Sequence, residues 1–275
     1  PIDQAGIDIL TQVAQVDQKV GLSIDQLKNI ICDYDGLMIR SGTQVTSDVI
    51  DEAKKLRIIG RAGVGVDNVD VPTATRKGVL VVNSPGGNTI AAAEHALAMI
   101  LALSRNIPQA HASMFSGGWD RKKYVGNELY KKTLGVVGLG KIGSHVAKVA
   151  NAMGMEVIGF DPFVSTERAQ QMQVVLSDIE ELFKKSDYVT LHLPRTPETE
   201  NLVDMDLLRK MKPTARLVNC ARGGIINEND LANALEENVI QGAAIDVYAK
   251  EPLAEKSPLR AVKKGLLLTP HLGAS

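Results

Sequence analysis

Residues 133–163, TLGVVGLGKIGSHVAKVANAMGMEVIGFDPF, limit the possible folds more than any other part of the 275-residue sequence. Gly138, Gly140 and Gly143 have the spacing G-x-G-x-x-G, between a short apolar run typical of a buried strand and a run with helical periodicity. A second apolar run follows and ends on Asp161, 18 residues past the last glycine. This order of strand, glycine turn, helix, strand and acid is the dinucleotide-binding fingerprint in the context that it requires.

Each glycine has a physical reason in such a fingerprint. Gly138 permits the tight turn after the strand, Gly140 leaves room for a pyrophosphate to approach the backbone, and Gly143 allows the helix to pack closely on the strand. Lys141 and Ile142, between the second and the third glycine, lie where the N–H groups and the positive end of the helix dipole meet a phosphate. The sequence predicts that all five positions bind the cofactor.

The acid at the end of the second strand distinguishes between two cofactors. Asp161 can accept hydrogen bonds from both hydroxyl groups of an adenosine ribose. A 2′-phosphate would meet its negative charge, and the following residues, Pro162 and Phe163, provide no arginine to compensate. The sequence therefore predicts NAD rather than NADP as the cofactor.

Apolar strand-like runs alternate with helical patterns along nearly the whole chain. The first series consists of GLMI (36–39), RIIG (57–60) and VLVV (79–82), and the second begins at TLGVVG and continues through MEVIGF, DYVTLHL, ARLVN, AAIDV and GLLLT. Such alternation indicates an α/β protein with parallel sheets covered by helices. We predict two doubly wound domains, at residues 1–85 and 86–271. Because the chain opens on a helical pattern and stops after a strand and a turn, we expect a longer protein with a preceding strand.

Composition and charge argue against several classes of partner. The formal net charge is −1, so no basic surface for nucleic acid is indicated. The apolar runs are too short to cross a membrane, and the chain does not open with a signal-peptide pattern. The two cysteines, Cys32 and Cys220, are far apart and do not have metal-ligand spacing. We expect a cytoplasmic protein with reduced thiols, no metal, no nucleic-acid partner and no membrane partner.

Three predicted strands of the second series are each followed by a residue that could take part in chemistry. Arg222 follows ARLVN in a glycine-flanked turn, Asp246 and then Glu251 follow the strand of AAIDV, and His271 follows GLLLT. Open α/β sheets bind ligands at the carboxyl edge of their strands. A cation, an acid and an imidazole are therefore expected at one edge, next to the cofactor.

The segments that carry these residues resemble one family. GLGKIG, CARGGIINE, AIDVYAKEP and TPHLGAS together resemble the D-isomer-specific 2-hydroxyacid dehydrogenases. In the first domain, LMIRSGTQVTSDVI, RAGVGVDNVDV and VVNSPGGNTIAAAEHALAMILALSR are similar to the members that oxidise 3-phosphoglycerate, and the resemblance covers essentially the whole chain. It implies a flavodoxin-like substrate-binding domain at 1–85, to which 272–275 lead back. It also implies a Rossmann NAD-binding domain at 86–271 and an active site in the cleft between the two.

The resemblance implies a role for each strand-end residue. His271 would take the proton of the substrate hydroxyl, Glu251 would hydrogen-bond the imidazole and stabilise its protonated form, and Arg222 would grip the substrate carboxylate. Asp246 would orient the nicotinamide or its ribose. The remaining expected contacts to the cofactor are Leu193, Cys220, Ala221, Arg222, His271 and Gly273. The other histidines, His95, His111, His145 and His192, are interpreted as structural.

A phosphorylated substrate needs cations in the first domain. The candidate substrate-binding residues are Arg40, Ser41, Arg61, Gly63, Val64 and Asn88. Two arginines suit a doubly charged phosphate better than lysines would. A basic loop with Arg121, Lys122 and Lys123 is either a further part of this site, contributed by a second subunit, or a solvated surface loop.

Three functions agree with these residues. The main hypothesis is NAD-dependent oxidation of 3-phospho-D-glycerate to 3-phosphohydroxypyruvate, the first step of the phosphorylated route to serine, by a homodimer or homotetramer. The alternative within the same chemistry is a reductase of glyoxylate, hydroxypyruvate or another 2-keto acid. A transcriptional corepressor that binds a dinucleotide as a ligand is the alternative of a different class, because a fold does not determine a function.

Overall fold

The computed structural model describes residues 2–274, which form two compact units that divide between Asn88 and Thr89. Each unit builds its own parallel sheet, so the predicted α/β class with parallel sheets is confirmed. The division lies three residues after the predicted boundary at 85/86, at the position where the long second-unit helix begins.

The first unit has a three-stranded sheet and four helices. In chain order the elements are α1 (Gln4–Leu10), α2 (Ile24–Ile31), β1 (Gly36–Ile39), α3 (Ser47–Glu52), β2 (Ile58–Arg61), α4 (Val71–Arg76) and β3 (Leu80–Asn83). The strands are parallel in the order β1-β2-β3, with Ile39 opposite Arg61 and Arg61 opposite Asn83. The reversal of strand order that defines double winding is therefore not present among the described residues of this unit.

The first unit buries one apolar cluster. Its fully buried members include Ile31 of α2, Val49 and Ile50 of α3, and Ile59 of β2. Polar residues at the helix starts fix these elements: Ser23 forms a capping box with Gln26 at the start of α2. Such caps satisfy N–H groups that the helix itself leaves without partners.

The second unit has a seven-stranded sheet. The elements are α5 (Thr89–Arg105), α6 (Ile107–Phe115), a 3₁₀ turn (Arg121–Tyr124), β4 (Thr133–Val137), α7 (Lys141–Ala152), β5 (Glu156–Phe160), α8 (Thr166–Gln171), β6 (Val175–Leu176), α9 (Ile179–Lys185), β7 (Tyr188–Leu191), α10 (Met205–Leu208), β8 (Arg216–Asn219), α11 (Glu228–Glu236), β9 (Gly242–Ile245), α12 (Pro258–Ala261) and β10 (Leu266–Leu268). All are parallel, in the order β10-β9-β8-β7-β4-β5-β6.

The strand order of the second unit reverses at β4. From β4 the chain first adds β5 and β6 on one side, then β7, β8, β9 and β10 on the other. The crevice at such a reversal, beyond the carboxyl ends of the strands, is where open α/β sheets bind ligands. The glycine turn at 138–143 follows β4 directly, so it lies at this reversal.

The long helix predicted from residue 88 is divided at Asn106. That residue has a left-handed backbone with φ of 51°, and Pro108 lies in the first turn of α6. No single helix within residues 2–274 is long and apolar enough to cross a membrane; α5 and α6 pass that test together, but they bend by 64° where they join.

Candidate active site

The carboxyl edge of the seven-stranded sheet carries the predicted catalytic residues on three adjacent strands. Arg222 follows β8, Glu251 follows β9 and His271 follows β10. Backbone bonds continue the pairing beyond the strands: Asp246 N–H donates to Asn219 O at 3.0 Å, and Thr269 N–H donates to Ile245 O at 3.0 Å. The three loops therefore leave one edge side by side.

The glycine turn has the geometry that each glycine was predicted to provide. Gly138 has φ of 95°, and a Cβ there would lie 2.7 Å from the backbone oxygen of His192. A Cβ at Gly143 would overlap the carbonyl oxygen of Gly138, because helix α7 packs directly on the turn. A Cβ at Gly140 would meet no protein atom within 4 Å. The open space at Gly140 fits the close approach of a pyrophosphate.

The N-terminus of α7 has no side-chain cap, so it can bind a ligand. Gly140 is the N-cap residue and provides no side-chain hydrogen bond to the first turn. The amide of Ile142 thus belongs to a helix end whose first N–H groups are not satisfied by the helix itself. Positive partial charge accumulates at such an end, and it stabilises bound phosphate.

Asp161 already holds the glycine turn through hydrogen bonds. Its Oδ2 accepts from the backbone N–H of Leu139 at 2.8 Å, and its Oδ1 accepts from the N–H of Phe163 at 2.9 Å. The carboxylate at the end of β5 is therefore oriented toward the turn that follows β4. Each oxygen retains a lone pair that a ribose hydroxyl can use.

Leu193 and His192 line the same turn from the end of β7. The side chain of Leu193 lies 3.1 Å from the position that a Cβ on Gly138 would take. The Nε2 of His192 lies 3.0 Å from the hydroxyl of Thr190, which is completely buried. Burial lowers the pKa of His192 to about 4, so this imidazole is neutral at physiological pH.

Asn219, a residue that was not predicted from the sequence, forms the hydrogen bonds that shape the turn with Cys220, Ala221 and Arg222. Its Oδ1 accepts from Ala221 N–H at 3.0 Å, and its Nδ2 donates to Arg222 O at 2.9 Å. The Arg222 guanidinium in turn donates to Ala221 O at 2.7 Å. Burial and the nearby Asp246 raise the pKa of the Cys220 thiol, which keeps it protonated. The sequence did contain one indication of this role, since Asn219 is an amide residue at the last position of a buried strand.

His271 and Glu251 form an ion-pair-type contact between two loops. Nδ1 of the imidazole lies 2.7 Å from Oε2 of the carboxylate, and Oε1 accepts the backbone N–H of Tyr248 at 3.1 Å. Because the carboxylate can only accept, Nδ1 carries the hydrogen and the lone pair lies on Nε2. Among the described residues no hydrogen bond engages Nε2, and the side chain is 41% exposed. Nε2 is therefore able to accept a proton, as the predicted role of His271 requires.

Asp246 is completely buried and bonded to the turn that carries His271. Its Oδ1 accepts from the Thr269 hydroxyl at 2.6 Å and from Leu272 N–H at 2.8 Å, and its Oδ2 accepts from Gly273 N–H at 2.9 Å. His95 of helix α5 lies 3.3 Å from the same Oδ1. The buried carboxylate therefore holds this turn, and it has no exposed surface with which to contact the nicotinamide or its ribose directly. His95 was interpreted as structural in the sequence, where nothing indicates this neighbour.

In the first unit, five of the six candidate substrate residues lie at the carboxyl edge of its sheet. Arg40 and Ser41 follow β1 and are exposed, and Arg61 is the last residue of the adjacent β2. The Arg61 guanidinium lies across Gly63, in the space that a Cβ would occupy. Val64 follows directly. This edge brings two arginines together on neighbouring strands.

Two asparagines shape that edge. Asn68, which was not predicted from the sequence, donates through Nδ2 to Arg40 O at 3.0 Å and to Thr43 O at 2.6 Å, and so it holds the loop after β1. Asn88, the remaining substrate candidate, ends the unit after β3. Its Oδ1 is shielded from solvent and accepts no hydrogen bond from the described residues. A buried acceptor without a partner requires an explanation, and a bound ligand that donates a hydrogen bond to it is one.

The basic loop of the second unit is a 3₁₀ turn with an exposed aromatic residue before it. Arg121, Lys122 and Lys123 are exposed, and Lys123 Nζ lies 5.6 Å from the ring centroid of Tyr124. Trp119, directly upstream, is 75% exposed. Among the described residues this turn forms no ion pair, which leaves its three charges in solvent.

Comparison with known proteins gives one family for the second unit. Residues 97–273 match the model of the D-isomer specific 2-hydroxyacid dehydrogenase, NAD binding domain. The matched range contains the glycine turn, Asp161, Arg222, Glu251 and His271. The geometry described above is therefore that of an NAD-binding domain.

Similar proteins extend the likeness to the whole chain. The chain is 60% identical over 274 residues to a D-3-phosphoglycerate dehydrogenase of Synechocystis sp., covering 100% of this chain and 49% of that protein. It is 49% identical over 276 residues to one of Methanocaldococcus jannaschii, covering 100% of this chain and 52% of that protein. The chain thus spans about half the length of these curated relatives.

A solved structure shows the same fold with a cofactor present. The D-lactate dehydrogenase of Aquifex aeolicus, complexed with NAD and lactic acid, superimposes with a TM-score of 0.82 at 28% identity. The match covers 90% of this chain and 78% of that one.

Proposed function

Because the chain belongs to the D-isomer-specific 2-hydroxyacid dehydrogenase family, we propose that it catalyses NAD-dependent oxidation of 3-phospho-D-glycerate to 3-phosphohydroxypyruvate, the first step of the phosphorylated route to serine. The observation that carries the proposal is the 2.7 Å contact between His271 Nδ1 and Glu251 Oε2, which leaves Nε2 as a base at the sheet edge. Relatives named D-3-phosphoglycerate dehydrogenase support the choice of substrate.

The residues that would hold NAD lie on both sides of the strand-order reversal. Gly140 and the first turn of α7 would bind the pyrophosphate, and Asp161 would bind the adenosine ribose. The turns at 220–222 and 271–273 would border the nicotinamide. Bound NAD would accept the hydride from C2 of the substrate.

His271 would act on the proton of the same carbon's hydroxyl. Its Nε2 lone pair accepts that proton, and the resulting imidazolium is stabilised by the Glu251 carboxylate at Nδ1. The second oxygen of Glu251 is fixed by Tyr248 N–H, so the carboxylate does not need to reorient during the reaction. The pair is therefore preorganised for the charge that develops.

Arg222 would orient the substrate through its carboxylate. A guanidinium binds a carboxylate in a two-pronged fork, and its charge also stabilises negative charge on the oxygen that becomes a ketone. The turn around Arg222 is rigid because Asn219 bonds both of its sides. Such fixed positive charge supplies electrostatic stabilisation at the reacting carbon.

Arg40 and Arg61 would bind the phosphate of the substrate. They end adjacent strands of the first unit, and two arginines match the charge of a phosphate monoester. A short 2-keto acid has no phosphate for these guanidinium groups to bind. This pair is the feature that favours phosphoglycerate over an unphosphorylated substrate.

One assay tests the proposal. The purified chain is mixed with NAD and 3-phosphoglycerate at alkaline pH with a trap for the keto product, and NADH absorbance is followed, with D-glycerate and D-lactate in parallel. We expect NADH formation with 3-phosphoglycerate alone. Formation with the unphosphorylated acids instead would assign the reaction to a reductase of glyoxylate, hydroxypyruvate or another 2-keto acid, and its absence with all three substrates would contradict the proposal.

We also propose that the chain forms a homo-oligomer through helix α6 and the segment after it. Met114, Phe115 and Trp119 are 52%, 87% and 75% exposed, although all three are large and apolar. Apolar clusters of this kind on a surface usually mark interfaces. Light scattering on the wild type and on a Phe115→Ser variant tests this, and a monomeric wild type would contradict it.

A further inference from the structure

A second imidazole–carboxylate contact lies behind the His271–Glu251 pair. His95, on helix α5, places Nε2 at 3.3 Å from Oδ1 of Asp246 and at 3.4 Å from the hydroxyl oxygen of Thr269. Helix α5 packs on β8 and β9, and Asp246 directly follows β9. The contact therefore joins a core helix to the loops of the sheet edge.

The buried carboxylate of Asp246 needs such partners. It has no exposed surface, and an isolated charge in that position would be strongly destabilised. Its partners are the hydroxyl of Thr269, two backbone amides and the imidazole of His95. Among these, His95 alone comes from outside the segment 269–273 and is able to carry a positive charge.

The chemistry of the neighbours fixes which atom of His95 carries the hydrogen. Asp246 Oδ1 can only accept, and the Thr269 hydroxyl already donates its hydrogen to Asp246. Both neighbours of His95 Nε2 are therefore acceptors. Nε2 must be protonated, and it donates to the carboxylate whether the ring is neutral or charged.

The segment that this network holds is the segment that carries the base. Thr269, Leu272 and Gly273 all bond Asp246, and His271 lies between them with a left-handed backbone, φ of 56°. A residue other than glycine in that conformation is strained, and it persists only where its surroundings enforce it. The bonds to Asp246 provide that enforcement on both sides of His271.

We propose that His95 is a positioning residue for the base, acting through Asp246 on the turn at 269–273. The inference rests on the proposed function, because it assigns His95 to the alignment of His271 in that reaction. Loss of the Nε2 donor frees the Asp246 carboxylate to reorient, and the turn then loosens at Leu272 and Gly273. His271 Nε2 moves away from the substrate hydroxyl.

A metal site would be the competing interpretation of the same side chains. Ligand atoms of His95, Cys220 and Asp246 lie within 4.8 Å of one another. However, Asp246 Oδ1 already accepts from Thr269 and Leu272, and Oδ2 accepts from Gly273. Burial also keeps the Cys220 thiol protonated, whereas a metal needs the thiolate. The geometry favours a hydrogen-bond network.

Three substitutions at one position separate the roles of the donor and of the packing. His95→Leu removes the donor, and His95→Asn keeps polarity but is too short to place a donor at the position of Nε2. His95→Gln places an amide N–H near the position of Nε2. Glu94→Gln, at the exposed neighbouring residue of helix α5, is the control.

The first measurement is hydrogen exchange of the Leu272 and Gly273 amides, which does not depend on turnover. We expect exchange at least about 10-fold faster in the Leu and Asn variants, and near wild type in the Gln variant and in the control. Equal exchange in all variants, or exchange in the Gln variant as fast as in the Leu variant, would overturn the proposal. If His95→Leu does not fold, the Asn variant supplies the same comparison.

The second measurement is kcat and KM for 3-phosphoglycerate oxidation in the same set. We expect kcat to fall by about 10- to 100-fold in the Leu and Asn variants while KM stays near wild type, since the base is misplaced and the substrate anchors are not. Recovery in the Gln variant would support the role. A change in KM alone would overturn it. Absence of turnover in the wild type would contradict the proposed function, and the exchange experiment would still decide the role of His95.

Discussion

Nδ1 of His271 lies 2.7 Å from Oε2 of Glu251, although 20 residues of chain separate the two. The first follows β10 and the second follows β9, and these strands are neighbours in the sheet. Tyr248 N–H holds the other carboxylate oxygen. The imidazole thus meets a carboxylate whose orientation is set by its own loop, which makes the charge of Glu251 directly testable.

Glu251→Gln removes the charge and keeps the size and one acceptor oxygen. We expect kcat at neutral pH to fall about 100-fold, because the protonated form of His271 loses its counter-charge. His271→Gln should reduce kcat further, since no base remains. NADH affinity, measured by fluorescence titration, should stay within about 2-fold of wild type in both. Full turnover in His271→Gln would show that another group takes the proton.

Gly140→Ala and Gly143→Ala form a matched pair that separates ligand space from packing. A Cβ at Gly143 would overlap the Gly138 carbonyl, so we expect Gly143→Ala to lower the free energy of unfolding by about 3 kcal/mol. A Cβ at Gly140 meets no protein atom, and the residue has φ of −65°, so Gly140→Ala should unfold like wild type. Urea unfolding measures both.

NADH binding should give a different result for the same pair. Gly140→Ala introduces a methyl group where the pyrophosphate would approach, so we expect NADH affinity to fall at least about 10-fold in this stable variant. Wild-type affinity in Gly140→Ala would show that the pyrophosphate does not pass over this glycine.

The positions of the catalytic candidates could be predicted because parallel strands share one direction. The residue that follows each predicted strand of the second series therefore lies at the same edge, as Arg222, Glu251 and His271 show.

The start of α9 shows the limit of local patterns. Ser177 and Glu180 have capping-box spacing, yet the N-cap is Asp178, whose side chain accepts from Glu181 N–H. Adjacent serine and aspartate are both good caps, and tertiary packing decides between them.

The supporting residues could not be predicted in the same way. Asn68 and Asn219 hold loops through bonds to backbone atoms, and His95 meets Thr269 across 174 residues of chain. An amide or imidazole side chain looks the same in the sequence whether or not it reaches such a partner. The apolar periodicity around His95 indicated a core helix, and that is also correct.

Asp161→Asn should weaken NADH binding and reduce the discrimination against NADPH. The amide keeps one acceptor, but it loses the charge that excludes a 2′-phosphate and strengthens bonds to ribose hydroxyls. We expect the Kd for NADH to rise about 10-fold and the ratio of the two Kd values to approach one. Glu156→Gln, at the exposed opposite end of β5, is the control for charge. An unchanged ratio would remove Asp161 from cofactor selection.

His192 should make the protein less stable in mild acid. Its pKa is about 4 when folded and 6.5 in the unfolded chain, so between these values the unfolded state binds the extra proton. The free energy of unfolding should fall as pH decreases from 6.5 to 4, by at most about 3 kcal/mol from this residue. Urea unfolding at pH 7 and pH 5 should show a smaller difference in His192→Gln than in wild type. An identical difference would exclude His192 as the source.

Arg40→Ala should distinguish a phosphorylated substrate from others. Arg40 is exposed at the end of β1, so its loss should leave the free energy of unfolding within about 0.5 kcal/mol of wild type. Loss of a charged bond to phosphate should lower kcat/KM for 3-phosphoglycerate about 10- to 100-fold, while any activity on D-glycerate is unchanged. Arg209→Ala, at an exposed arginine after α10, controls for net charge. Equal losses of kcat/KM on both substrates would mean that Arg40 supports the fold at the carboxyl edge of the sheet and does not bind the phosphate.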